Sequence, residues 1–189
     1  MYMKNLAILL IIVLSGILNC NAQDNFIPYN DPHIQYEGRV GMDNSGAAEF
    51  YWSGTSAKIR FKGTGIKALM KDQKGNNFYT VVIDDDSIYK MPVDTNKHVY
   101  TLAENLPEGK HTVELFKITQ IHKEYKRGYT KFYGFELNKN SKLLNPLPVK
   151  KRKIEFYGNS VTCGHAIEDN TGGDSGASKY ENNYLSYAA

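Results

Sequence analysis

Ser160 is the residue whose type and position best suit nucleophilic chemistry. It closes the triplet Gly158-Asn159-Ser160, which follows the apolar run Ile154-Glu155-Phe156-Tyr157. A strand that ends in a sharp turn can lift a serine hydroxyl above a sheet edge and leave nearby backbone N–H groups free. Those groups can hold the oxyanion of an acyl-transfer intermediate. Gly158 allows a backbone path that a side chain would block. Gly-x-Ser after a strand is also ordinary turn chemistry, so the triplet alone leaves a plain turn and a nucleophile site both open.

The remaining reactive side chains read as structural. A serine hydroxyl is a weak nucleophile without an adjacent base, and His165, in the same stretch, reads as a polar loop residue rather than that base. His33, His98, His111 and His122 show no metal-ligand spacing. Asp84-Asp85-Asp86 has too few oxygen ligands in any calcium-binding pattern and reads as a hairpin turn. Cys163 lacks a basic partner and reads as a small buried residue. No metal and no cofactor is expected.

The elements that would carry these residues are short strands. Candidates are Ala47–Trp52, Ala57–Lys62, Ile66–Lys71, Asn77–Ile83, His98–Leu102, His111–Ile118 and Lys131–Leu137. Several alternate. Ile59 and Phe61 share one face while Lys58, Arg60 and Lys62 take the other, and Tyr133, Phe135 and Leu137 are expected to share a face. Gly-rich and polar breaks separate them, including Ser53-Gly54, Gly63-Thr64-Gly65 and Pro107-Glu108-Gly109. Many short strands without helical periodicity between them predict an antiparallel jelly-roll sandwich over residues 24–140. Residues 141–152 hold Asn145, Pro146 and Pro148 and read as a linker with little regular structure. Residues 153–189 start a new unit: a strand over Lys153–Tyr157, the Ser160 turn, a polar loop over Glu168–Lys179, and a helix-compatible stretch from Tyr180 to Ala189.

The first residues read as a leader. Lys4 precedes the apolar run Leu6–Leu14, which is too short to span a membrane. Cys20-Asn21-Ala22 supplies small residues, so residues 1–22 are expected to be a signal peptide cleaved after Ala22. Asn19 argues against lipidation of Cys20. Cleavage would remove one charge, Lys4, from a formal net charge of +3. So small a charge predicts neither nucleic acid nor an anionic membrane as partner. The protein is expected to be secreted or periplasmic. Cys163 would be the one remaining cysteine, so stability must come from the core rather than from disulfides.

The stretch Ile154 to His165, I-E-F-Y-G-N-S-V-T-C-G-H, resembles the first block of SGNH (GDSL) hydrolases, in the form found in carbohydrate esterase family 2. The preceding region resembles the jelly-roll domain of that family at Tyr36-Glu37-Gly38-Arg39, Phe61-Lys62-Gly63-Thr64, Val82-Ile83-Asp84, Leu102 to Leu106 and Gly109 to Val113. The resemblance implies a β-sandwich followed by the first strand–turn–helix of an α/β hydrolase domain. It implies Ser160 as nucleophile and backbone oxyanion donor, in a turn supported by Gly158 and Asn159. The family usually has Asp before the serine, and Asn159 keeps the acceptor oxygen without the charge. The family's base and remaining oxyanion donors belong to later blocks with no counterpart here, so the chain by itself is expected to be inactive. The implied activity is serine-dependent removal of O-acetyl groups from polysaccharide or oligosaccharide of the xylan or mannan type. The other reading is a non-catalytic carbohydrate-binding sandwich with a vestigial hydrolase segment. Exposed aromatics would grip the sugar, but alternation alone does not choose which of them are exposed.

Overall fold

Along Ser56–Gly63, Ile59 and Phe61 are buried while Lys58, Arg60 and Lys62 face outward, as the alternation predicts. In the computed structural model this pattern recurs through two antiparallel sheets packed face to face. The structure describes residues 25–42, 46–120, 127–149, 151–152, 154–169 and 182–188. The expected leader, its cleavage site, His122, Lys153 and most of the Glu168–Lys179 loop lie outside these residues.

Twelve strands are described: β1 (Phe26–Pro28), β2 (Gln35–Glu37), β3 (Val40–Met42), β4 (Ala48–Phe50), β5 (Ser56–Gly63), β6 (Ile66–Asp72), β7 (Asn77–Ile83), β8 (Ser87–Val93), β9 (His98–Ala103), β10 (Gly109–Lys117), β11 (Thr130–Leu137) and β12 (Lys142–Leu144). The first sheet runs β3-β4-β11-β6-β9, with β1 also pairing β11. The second runs β12-β5-β10-β7-β8, with β2 also pairing β5. β11 and β5 thus each serve two short partners on one side. β4 and then β1 follow along β11, and β2 and then β12 follow along β5.

The inward faces supply one core. Phe50, Phe132 and Phe135 come from the first sheet, and Ile59, Phe61, Tyr79 and Leu115 from the second. Phe132 stacks on Phe50 at 5.7 Å and meets Phe135 edge-on at 4.8 Å. Such pairs add about 0.5–1.5 kcal/mol beyond area burial. The seven expected strands and the jelly-roll class all appear.

Two expectations need correction. Tyr133 does not share the face of Phe135 and Leu137, because a bulge between Phe132 and Gly134 shifts the register. Phe132 enters the core instead, and Tyr133 turns outward. Gly134 has φ 147°, and a Cβ there would lie 2.2 Å from the Ile27 carbonyl, so β1 can pair only because the residue is glycine. The expected linker is also partly structured. β12 pairs β5 within it, Arg60 Nη1 donates to the Asn145 carbonyl at 3.0 Å, and Gln35 Nε2 donates to the Leu147 carbonyl at 2.8 Å. The prolines follow that strand instead of preventing it.

A buried polar chain ties the sheets at one end. Asp72 Oδ2 accepts from Thr130 Oγ1 and from Asn77 Nδ2, both at 2.7 Å. Lys117 Nζ donates to Asn77 Oδ1 at 2.8 Å and to the Thr119 carbonyl. Lys117 is fully buried, so its ammonium depends on these acceptors.

Candidate active site

The expected strand over Lys153–Tyr157 is not formed. Residues 154–157 belong to no strand, and Ile154, Phe156 and Tyr157 are exposed. An apolar strand of an α/β sheet is held by neighbours on its edges and covered on its faces, and the described residues supply neither. No helix directly follows Ser160 either. The short helix α1 (Asn183–Ala188) lies within the stretch expected to be helical.

Ser160 opens a run of turns that continues to Glu168, and its side chain is exposed. The turn is built by its own residues. Asn159 Oδ1 accepts from the Val161 N–H at 3.1 Å, and the Asn159 carbonyl accepts from Cys163 N–H at 3.3 Å. The Ser160 carbonyl accepts from His165 N–H at 2.9 Å. A Cβ on Gly158 would come within 1.9 Å of Thr162 Oγ1. Gly158, Asn159 and Ser160 therefore sit together in one tight turn. His165 joins it through its backbone. Among the described residues no histidine or carboxylate hydrogen-bonds Ser160 Oγ.

The second sheet holds this segment. Phe116, on the outward face of β10, meets Tyr184 of α1 edge-on at 5.3 Å. Asn183 N–H donates to the Ile118 carbonyl at 3.4 Å. Ser53 Oγ lies 3.7 Å from Cys163 Sγ, which leaves Cys163 half-buried against the sandwich rather than inside a core. Gly164, with φ 65°, lets the Asn182 carbonyl pass where a Cβ would lie 2.4 Å away, and Asn182 N–H donates back to the Gly164 carbonyl at 3.1 Å. Arg39 reaches across to Glu155 at 3.1 Å, and both side chains are exposed.

The other reactive side chains have structural roles. Asp84 and Asp85 have positive φ in the β7–β8 turn. Asp84 Oδ1 accepts from Thr112 N–H at 2.8 Å and Oδ2 meets His111 Nδ1 at 2.7 Å. His111 Nε2 lies 2.8 Å from the Pro107 carbonyl. Burial lowers the His111 pKa, but Asp84 and the Pro107 carbonyl outweigh it, and the group titrates above its usual range. Among the aromatics, Trp52, Tyr89, Phe156 and Tyr157 are exposed. Trp52 follows the end of β4, Tyr89 lies on an edge strand, and Phe156 and Tyr157 lie in no strand, so local alternation does not select them.

Residues 36–147 match the sequence profile of the N-terminal domain of carbohydrate esterase 2. The chain is 32% identical to the cellulase/esterase CelE of Acetivibrio thermocellus over 169 residues, covering 89% of this chain and 20% of that protein. It is 31% identical to an acetylxylan esterase / glucomannan deacetylase of Cellvibrio japonicus over 150 residues, covering 78% of this chain and 40% of that protein. A solved family two carbohydrate esterase from Cellvibrio japonicus superposes with a TM-score of 0.74 at 26% identity, over 86% of this chain and 47% of that one. A family two carbohydrate esterase from Clostridium thermocellum, solved with cellohexaose, superposes at 0.71 and 29% identity, over 82% of this chain and 46% of that one. The chain thus spans less than half the length of these relatives.

Proposed function

We propose, from the premise that this chain belongs to carbohydrate esterase family 2 by its N-terminal domain, that it is part of an exported esterase that removes O-acetyl groups from polysaccharide through Ser160. Ser160 attacks the acetyl carbonyl, the ester C–O bond breaks and the sugar leaves as its hydroxyl with the proton given up by Ser160, and water hydrolyses the acyl-enzyme to acetate and free Ser160. Its own N–H contributes to the oxyanion hole, a role a tight turn can serve because it points backbone donors away from the fold. Asn159 fixes the turn through the Val161 N–H, and Gly158 lets it close on Thr162.

The observation that carries this reading is the exposed Ser160 at the head of a turn docked on an esterase-family sandwich. The general base and the other oxyanion donors are assigned to later hydrolase blocks, where the resemblance puts them. Ile154 and Phe156, exposed here, are the kind of side chains a strand buries once flanking strands cover it. The substrate class is acetylated xylan- or mannan-like glycan, since a relative is an acetylxylan esterase / glucomannan deacetylase. The reaction scheme needs no cofactor.

The test is deacetylation of an aryl acetate and of acetylated xylan by a protein carrying this chain together with the later hydrolase blocks. Replacing Ser160 by alanine should abolish turnover, and full activity in that variant would exclude Ser160 as nucleophile. The second reading, a carbohydrate-binding sandwich, is favoured by one observation: the two sheets form a complete core without the Ser160 segment.

A further inference from the structure

Lys71 and Lys131 are direct cross-strand partners on β6 and β11. Both point away from the core, because their strand neighbours Met70, Asp72, Thr130 and Phe132 are buried. Like charges directly opposite on adjacent strands repel and cost stability. Lys131 is relieved by Glu49, its partner on β4, at 3.5 Å. Lys71 is exposed and has no carboxylate partner among the described residues. Neighbouring Asp72 offers no relief. Its Oδ1 accepts from the Lys74 and Gly75 N–H groups, and its Oδ2 accepts from Asn77 and Thr130. A third ammonium, Lys97 Nζ, lies 3.7 Å from the centre of the Tyr133 ring.

Lys71 and Lys131 line a depression of about 330 Å³ together with Asp72, Gln73, Tyr129 and Tyr133. Its aromatic wall is braced from behind, since Tyr129 lies against Tyr51 at 4.9 Å. Tyr51 is in turn fixed by donating to Glu49 Oε2 at 2.6 Å. Tyr133 shares this face with Lys131 by alternation, and the bulge then turns Phe135 and Leu137 inward. The surface thus combines ring faces with two outward ammoniums, of which Lys71 has no carboxylate partner among the described residues.

We propose that this depression binds a glycan bearing a uronate group, with the pyranose ring against Tyr129 and the carboxylate between Lys71 and Lys131. A uronate sugar carries both complementary parts in one residue. Its apolar C–H face suits a tyrosine ring, and its carboxylate offsets the lysine pair. An inorganic anion would satisfy only the lysines, and a neutral sugar only the ring. A single-stranded nucleic acid also combines rings with anions, and the choice of glycan rests on the carbohydrate reading above. The depression opens on the first sheet, whereas Phe116 and Lys90, which hold the Ser160 segment, belong to the second. A polysaccharide held here leaves the nucleophile unoccupied.

The experiment is calorimetric titration of the 189-residue chain with a xylo-oligosaccharide carrying a glucuronic acid branch. The carboxyl-reduced form of the same oligosaccharide is the control. Binding of the acidic form should weaken with rising salt and fall about tenfold when the carboxylate is reduced. Lys71→Met and Tyr129→Ala should each lower affinity by about tenfold. Lys71 is exposed, so its variant tests the site even where Tyr129→Ala fails to fold. Equal affinity for the two oligosaccharides, or unchanged affinity in Lys71→Met, overturns the proposal. Tighter binding of a single-stranded oligonucleotide than of the acidic sugar overturns it too. Ser160→Ala should bind like the unmodified chain, so failure of the esterase reading and failure of this site register separately.

Discussion

Lys90 Nζ, on the outward face of β8, lies 2.5 Å from Glu168 Oε2, and this pair couples the sandwich to the turn that bears Ser160. The other Glu168 oxygen accepts from Asn182 Nδ2 at 2.6 Å, and Asn182 N–H donates to the Gly164 carbonyl. A continuous path therefore runs from an edge strand to the segment beginning at Ser160. A half-buried ion pair of this kind contributes up to about 1 kcal/mol. In Lys90→Met, amide hydrogen exchange over residues 160–169 should accelerate about fivefold, while exchange in β5 and β10 stays unchanged. Unaltered exchange over 160–169 would assign the docking to Phe116–Tyr184 and Asn183–Ile118 instead.

The buried Asp72–Asn77–Lys117 chain predicts unequal costs for two substitutions. Asn77→Leu removes an acceptor from Lys117 and a donor from Asp72, leaving buried charges short of partners. Leaving a buried donor or acceptor without its partner costs about 1–3 kcal/mol, and more for a charged group. Lys117→Met removes the charge together with its need for partners, and Asn77 Oδ1 still accepts from Thr119 Oγ1 at 2.8 Å. Urea denaturation should therefore rank Asn77→Leu well below Lys117→Met in stability. The reverse order would mean that the lysine stem, rather than the polar chain, is what that end of the core requires.

What the sequence revealed depended on the length and regularity of each element. β5 and β10 alternate over eight or nine residues and are paired along almost their full length, so their pattern was readable. β1, β2, β3 and β12 have three residues each and exist through pairing with β5, β4 or β11, which no local pattern encodes. β8 carries Pro92 and several exposed residues, tolerable because it is an edge strand. Tyr133 was misplaced because a bulge changes the period without changing composition. Lys117 falls on the core face of β10 by simple alternation, yet only the fold brings Asn77 and Thr119 to it. At the site, the tight Gly158-Asn159-Ser160 turn was legible because its geometry is local. The strand expected before it is not formed, because a strand requires partners distant in sequence.

His111 gives the sandwich a pH-dependent contribution. Nδ1 faces the Asp84 carboxylate and Nε2 faces the Pro107 carbonyl, so both nitrogens are best used as donors, which the imidazolium allows. Its folded-state pKa is raised above the unfolded value of about 6.5. The stabilisation is therefore fully present below that unfolded value and is lost as pH rises through the folded one. The melting temperature should fall as pH rises from about 6 to about 8. In His111→Asn that slope should flatten, while the melting temperature at neutral pH drops less. An equal slope in the variant would place the dependence on another group.

The sandwich is expected to fold without the residues after Val149. Its core draws on β1 to β11, β12 closes the edge at β5, and Arg60 and Gln35 fix the carbonyls of Asn145 and Leu147. Limited proteolysis should therefore cut after Val149 and spare residues 140–147. A chain ending at Val149 should unfold cooperatively. Early cleavage between Asn140 and Leu147 would show that β12 contributes little to holding that edge.

The proposed role of Ser160 predicts different activities for this chain alone and for a protein that also carries the later hydrolase blocks. The Ser160 hydroxyl is exposed and, among the described residues, no base hydrogen-bonds it. Positioned acid–base assistance is worth about 10²–10⁴ in rate, and a single oxyanion donor about 10²–10³. Loss of either is enough to bring turnover near background. The 189-residue chain should therefore show no measurable hydrolysis of an aryl acetate or of acetylated xylan. With the later hydrolase blocks present, activity should appear and Ser160→Ala should abolish it. Asn159→Asp should preserve it, because the carboxylate accepts the same Val161 N–H in nearly the same volume. Gly158→Ala should lower kcat, because the new methyl collides with Thr162 and displaces the turn. Robust Ser160-dependent activity in the short chain would require a base within the turn itself. His165 is the histidine whose N–H already reaches the Ser160 carbonyl, so His165→Ala would then have to remove that activity.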